Sequence, residues 1–232
     1  MKHPFKEHLI RLAQLHAQDE YPKESCGFIT KDDYIALDNI AEDPINDFRI
    51  RTEDYLKYRK EIKAIMHSHA DYPHLSKQDM LSQIQSRLPW GVTLLNHKAV
   101  VETVFWGDDI IYPLLGRQFV HGCWDCWALV RDYWRHQGYN IMDFPRDNLW
   151  WEKEKSMLEN GAQEAGFDFI DESELQVGDV IFMKVLADVT NHSAIYLGNG
   201  LMIHHLYNRL SRKEPIGRWS KFITGYLRYR YA

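Results

Sequence analysis

Two sets of residues in this 232-residue chain have the types and spacing that chemistry requires. In the back half, Cys123-Trp124-Asp125-Cys126-Trp127-Ala128-Leu129-Val130 leads into a helical pattern. Asp125 is a good N-cap, so Cys126 falls in the first helical turn, where the positive end of the helix dipole favours thiolate over thiol. A thiol nucleophile also needs a base within hydrogen-bond reach and a group that orients the base. His192 opens an apolar strand at 193–197, and His204 follows on the next strand of a hairpin that turns at Gly198-Asn199-Gly200. Neighbouring antiparallel strands can bring two such side chains onto one face, giving Cys126 as nucleophile, His192 as base and His204 as orienter. His205 is equally available by composition, and only the strand phase favours His204. Cys123-x-x-Cys126 also has the spacing of a redox pair, and a buried cysteine is often just a small hydrophobe.

The front half offers a metal-site pattern. His67-Ser68-His69 falls at a strand end, and residues two apart on a strand face the same side. Ser76 and Asp79 follow at a helix start. Two histidines and a carboxylate fill three corners of a tetrahedral zinc site and leave the fourth for water. A separate carboxylate must then carry the proton, and Glu24, just before Cys26-Gly27-Phe28, is the candidate. The plain reading stands beside this one: Ser76-x-x-Asp79 is also a variant of the helix capping box and needs no metal.

The elements that would position these groups divide into two blocks. In the first, helices are predicted at 4–18, 53–62 and 76–88. Strands are predicted either side of a Lys31-Asp32-Asp33 turn, at 62–67, and once or twice within 90–105. The pattern ends at Trp106-Gly107-Asp108-Asp109, with Pro113 and Gly116 beyond. The second block has helices at 125–137 and 149–165 and strands at 180–185, 191–197 and 201–205. A helix followed by several strands is α+β order. The expected division is 1–110 and 118–232.

Composition limits the class of protein. With 45% hydrophobic and 26% charged residues, the chain is an ordinary packed protein and not a disordered one. No apolar run approaches the ~20 residues of a membrane span. Net charge is −5 with lysine and arginine dispersed, so no nucleic-acid partner is expected. The start lacks the apolar stretch and cleavage site of a secretory signal, and three cysteines cannot build a disulfide framework. A reducing compartment is therefore expected.

Two resemblances sharpen these readings. Glu24-Ser25-Cys26-Gly27, His67-x-His69 and Ser76-x-x-Asp79 together resemble the JAMM (JAB/MPN) metalloprotease pattern. That resemblance implies an α/β/α domain binding one zinc ion through His67, His69 and Asp79. It makes Glu24 the general acid/base and Ser76 a holder of the developing oxyanion. Six residues separate His69 from Ser76 where many members have seven, and Ala70 replaces a common proline. The shorter loop brings Asp71 or His74 into question as groups nearer the metal. The back half, with Asp125-Cys126-x-x-Leu129-Val130, Gly178-Asp179-Val180, His192-Ser193-Ala194-Ile195-Tyr196-Leu197-Gly198 and Ile203-His204, resembles the NlpC-type cysteine peptidases. That family implies a permuted papain-like fold, cleavage of γ-D-glutamyl links in cell-wall peptides, and Cys126, His192 and His204 as the catalytic set. Trp127-Ala128 stands where the family usually has glycine or serine, and the bulk of Trp127 would narrow the groove.

A JAMM-like domain fused to an NlpC-like one is similar to the tail-tip assembly family of lambda-like bacteriophages. By that resemblance the chain would be a hydrolase assembled in the host cytoplasm and carried at the virion tail tip. Its partners would be other tail-tip proteins, and peptidoglycan peptides its substrate. The alternatives are a cytoplasmic peptidase or demodifying enzyme, and a structural tail module with vestigial sites.

Overall fold

The computed structural model describes residues 4–72 and 74–231. Contacts divide the chain into two compact units, residues 1–73 with 82–110, and residues 74–81 with 111–232.

The first unit is built on a five-stranded sheet in the order β2-β1-β3-β4-β5. Its strands are β1 (Cys26–Ile29), β2 (Tyr34–Leu37), β3 (Ala64–Ala70), β4 (Pro89–Asn96) and β5 (Ala99–Gly107). Central β3 pairs antiparallel with β1 and parallel with β4, and six of its seven residues are buried. Its first three residues, Ala64-Ile65-Met66, accordingly run apolar instead of alternating. Helix α1 (Glu7–Glu20) turns Leu9, Ile10, Ala13 and Ala17 inward, the 3.6-residue stripe of a helix lying on a sheet. Helix α2 (Thr52–Tyr58) is shorter than its sequence pattern, and α3 (Lys77–Ser86) follows β3 in sequence, its start at 77–81 grouped with the second unit.

The second unit is a six-stranded antiparallel sheet in the order β10-β9-β8-β7-β11-β6, with helices α4 (Cys126–His136) and α5 (Met157–Glu164). The strands are β6 (Phe167–Ile170), β7 (Val180–Met183), β8 (His192–Gly198), β9 (Leu201–His204), β10 (Arg212–Pro215) and β11 (Ile223–Tyr229). Trp127, Leu129, Val130 and Trp134 of α4 join Val180, Phe182, Ile195, Ile203 and Leu227 in one core. The hairpin β8–β9 turns where expected, with Gly198, Asn199 and Gly200 all at positive φ.

The predicted helix at 149–165 is corrected. Leu149 adopts a left-handed conformation at φ 55°, a single 3-10 turn covers Trp150–Glu152, and α5 begins only at Met157. A left-handed residue cannot continue a right-handed helix, so the apolar periodicity is shared between two elements. Strands β6, β10 and β11 were not predicted. The first two are four-residue edge strands, too short for their alternation to carry much signal, and β10 is made of charged residues and a proline.

Candidate active site

Cys126 begins α4, and Asp125 caps it as the sequence predicts. Its Oδ1 accepts from the Ala128 N–H at 3.0 Å and its Oδ2 from the Gly122 N–H at 2.9 Å. Asp125 is also clasped by Arg146, whose Nε and Nη2 donate to its two oxygens at 2.9 and 2.8 Å. Burial works against the Asp125 charge, but Arg146, His121 and the two backbone donors outweigh it and hold the carboxyl well below its usual range. Arg146 is itself tied to Asp143 at 2.9 Å, and Arg131 braces Asp143 at 2.6 Å. The helix that presents the thiol therefore stands on a buried ion network that sequence reading missed. Nothing in the spacing of Asp125, Asp143 and Arg146 marks them as partners.

Half-buried Cys126 lines a cavity of about 470 Å³ together with His192, Asn191 and His205. Apolar walls come from Phe119, Trp150, Trp151, Leu158, Val185 and Leu186, and Arg209 stands at the same cavity. His192 Nε2 and His204 Nδ1 are 3.0 Å apart. Register explains the pairing: His204 lies opposite Ala194, two residues from His192 on β8, so both rings fall on one sheet face. Beyond His204, the carboxylate of Glu214 on β10 approaches its Nε2 at 3.6 Å. Trp127 does not stand in the groove as a free wall. It is fully buried, packed against Phe144 and Phe167, and forms part of the cavity lining from within the core.

The electrostatics differ from the helix-dipole expectation. Burial, with Asp125 adding to it, pushes the Cys126 thiol up to about 11, and donors from Ser193 offset this only in part. Burial also pulls His192 well below its ordinary value, with His204 and His205 adding to the effect, and pulls His204 down to about 4. The resting pair is thus neutral thiol and neutral imidazole.

In the other set, His67 and His69 are both buried on β3, and their Nε2 atoms lie 3.2 Å apart. Two nitrogens on one tetrahedral zinc, at ~2.0–2.1 Å each, would be about 3.3 Å apart. His67 and His69 lie in the first unit, whereas Asp79 lies in the 74–81 segment grouped with the second. Glu24 is buried with its Oε1 3.5 Å from His69 Nε2. Phe48 stacks on the His67 ring at 4.7 Å, and Trp90 and Trp106 meet it edge-on. The capping-box reading holds as well: the Asp79 N–H donates to Ser76 Oγ at 3.0 Å, and the Ser76 N–H and hydroxyl both reach Asp79 Oδ2 at 2.8 Å. Asp71 is committed elsewhere, accepting from the Tyr21 hydroxyl at 2.7 Å and the His97 N–H at 2.8 Å. His74 sits beside Tyr207 and His121.

A cysteine at a capped helix start, sharing a cavity with a histidine that is bonded to a second histidine, is the arrangement of a thiol hydrolase. Residues 116–228 match the NlpC/P60 family, so the fold is mixed α+β with an NlpC/P60 domain, and this supports a cysteine-peptidase hydrolase. The chain is 31% identical over 236 residues to the tail tip assembly protein K of Escherichia phage N15, covering 97% of this chain and 96% of that protein. It is 32% identical over 182 residues to the tail tip assembly protein K of Escherichia phage lambda, covering 77% and 88%. The chain belongs to this family of phage tail tip assembly proteins. Among solved structures, an NlpC/P60 family protein from Bacillus cereus aligns over 97% of this chain and 67% of its own, at 14% identity and a TM-score of 0.37. No helix among the described residues is long and apolar enough to cross a membrane.

Proposed function

We propose that the second unit is a cysteine endopeptidase of the phage tail tip that cleaves peptidoglycan peptides during cell-wall penetration. The observation that carries this reading is the meeting of Cys126 and His192 at one cavity, with His204 bonded behind His192. Cys126 Sγ attacks the scissile carbonyl, His192 takes the thiol proton and returns it to the leaving amine, and His204 orients the base. The apolar walls and Arg209 suit a peptide that carries a carboxylate. The protein would work with other tail-tip proteins, assembling in the host cytoplasm before it is carried in the virion tail. Purified protein should release fragments from murein peptides, and Cys126→Ala should abolish that release. Retention of full activity in Cys126→Ala would reject the reading. Loss of nothing but tail assembly would favour a structural module.

We also infer a JAMM-like zinc peptidase site in the front half of the chain, favoured by the 3.2 Å spacing of the two imidazole nitrogens. His67, His69 and Asp79 would hold the ion, which would polarise a carbonyl and lower the pKa of a bound water. Glu24, 3.5 Å from His69 Nε2, would carry the proton, and Ser76, bonded to Asp79, would help hold the developing oxyanion. A tail protein or cross-link is the natural target. Cleavage of a cytoplasmic ubiquitin-like fusion instead, with no effect on murein, would favour a demodifying enzyme.

A further inference from the structure

We propose that Glu214 is a positioning residue for the thiol–imidazole pair: its carboxylate fixes the tautomer of His204 and, through it, that of His192. The inference rests on the thiol-peptidase reading above. His192 Nε2 is engaged with His204 Nδ1 at 3.0 Å, so the nitrogen left to take the Cys126 proton is Nδ1. In a neutral imidazole one nitrogen donates and the other accepts. For His192 Nδ1 to be the bare base, Nε2 must carry the proton and donate to His204 Nδ1. His204 must then carry its own proton on Nε2.

That nitrogen is the one that faces Glu214 Oε2, at 3.6 Å. An ionised carboxylate only accepts, so it selects the Nε2–H form of His204. The opposite arrangement points a bare His204 Nε2 at a carboxylate and puts the proton on His192 Nδ1, which then cannot act as base. The 3.6 Å separation is a contact short of a formed hydrogen bond, and catalytic contacts of this kind commonly tighten when substrate arrives.

Glu214 is held for this role from both sides. Trp219 Nε1 donates to its Oε2 at 2.6 Å and Arg212 Nε sits 2.6 Å from its Oε1, while the Trp219 ring packs edge-on against His204 with centroids 4.9 Å apart. The other ionisable groups facing the two rings are Asp125 and His205 at His192 and Arg212 at His204. Asp125 is already clasped by Arg146, so the carboxylate that faces His204 is that of Glu214. When the S–H bond of Cys126 breaks and the His192 Nδ1–H bond forms, the chain of donors runs from His192 through His204 to Glu214. The new imidazolium charge then ends on an anion without any further proton moving.

The test uses the full chain with ¹⁵N-labelled histidine, in wild type, Glu214→Gln and Glu214→Asp. The tautomer of His204 is read by NMR, alkylation of Cys126 by iodoacetamide is followed against pH, and kcat/KM is measured on murein peptides. Wild type should carry the His204 proton on Nε2. Glu214→Gln should lose that preference, with alkylation at neutral pH and kcat/KM each falling about 10–100-fold, the usual cost of removing a group that orients a functional histidine. Glu214→Asp should keep the tautomer and most of the rate. A wild-type His204 protonated on Nδ1 overturns the proposal, whether or not the variants fold. So does a Glu214→Gln protein with the wild-type tautomer and a superimposable alkylation profile. If tautomer and alkylation respond as expected while wild type leaves murein peptides uncut, the peptidase reading fails and the role of Glu214 stands.

Discussion

Replacing Arg146 with methionine should destabilise the second unit by about 3–4 kcal/mol. The side chain is almost wholly buried, and it supplies two of the four donors on Asp125. Methionine fills much of the same volume, so the loss is chiefly electrostatic. Removing one partner of a buried ion pair typically costs ~3–5 kcal/mol, because the survivor stays charged and poorly solvated. The lower part of that range applies because Asp143 keeps Arg131 at 2.6 Å, leaving Asp125 as the carboxylate stripped of its cation. For a unit of this size the loss corresponds to a melting shift of roughly 10–15 °C, readable by calorimetry at pH 7. The pH dependence has a defined sign. Wild-type Asp125 is held below its unfolded value, so its stabilisation is present above that value and is lost as pH falls towards the folded one. Without Arg146 the buried carboxyl titrates upward, so the deficit of the variant should shrink between pH 7 and pH 5. Adding Asp125→Asn should recover part of the loss by removing the stranded charge. A variant melting within about 3 °C of wild type, with no pH dependence to the difference, would refute the ion-network account.

Three further outcomes are expected. His204 and His205 titrate near pH 4 in the fold, against an ordinary value of 6.5, because burial keeps them neutral. Their stabilisation is complete above pH 6.5 and is lost as pH falls to 4, by about 3 kcal/mol each, so the melting temperature should fall across that window and His205→Phe should flatten the fall. Trp127→Ala should cost about 3–5 kcal/mol of stability in urea unfolding, since the ring is fully buried between Phe144 and Phe167; a loss under about 1 kcal/mol would mean the ring is a groove wall and not core. Purified protein should carry about one zinc per chain by atomic emission, and His67→Ala should carry little; equal zinc in both would remove the first metal ligand from the proposed set.

The grouping of the candidate residues was legible because their spacing follows element geometry. His67 and His69 share a face of β3 by the two-residue period, and His192 and His204 meet through a hairpin whose turn residues announce it. Asp125 was legible as a cap because its side chain acts within four residues of itself. What stayed hidden is long-range. Arg146 reaches Asp125 across 21 positions and Arg117 reaches Asp132 as a buried pair, and no local pattern encodes either contact. Glu214 lies in a four-residue edge strand whose sequence, Arg212-Lys213-Glu214-Pro215, reads as an exposed charged turn. The helix expected at 149–165 failed for a related reason: apolar spacing does not reveal a single left-handed residue at Leu149.

The hidden contacts change the argument about activation. A nucleophile poised by a helix dipole would rest as a thiolate, and the base would matter little until acylation. Here burial pushes the thiol up and the Asp125 carboxylate adds to it, so the thiol rests neutral. In the proposed reaction the proton must therefore leave Cys126 during attack, which would make the state of His192 decisive at the first step. Burial has already emptied His192 of its extra proton, so it is a base at neutral pH; what remains to be set is which of its nitrogens is bare. That choice is made along the sheet, from His204 on β9 to the strand beside it, and not along the helix that supplies the sulfur.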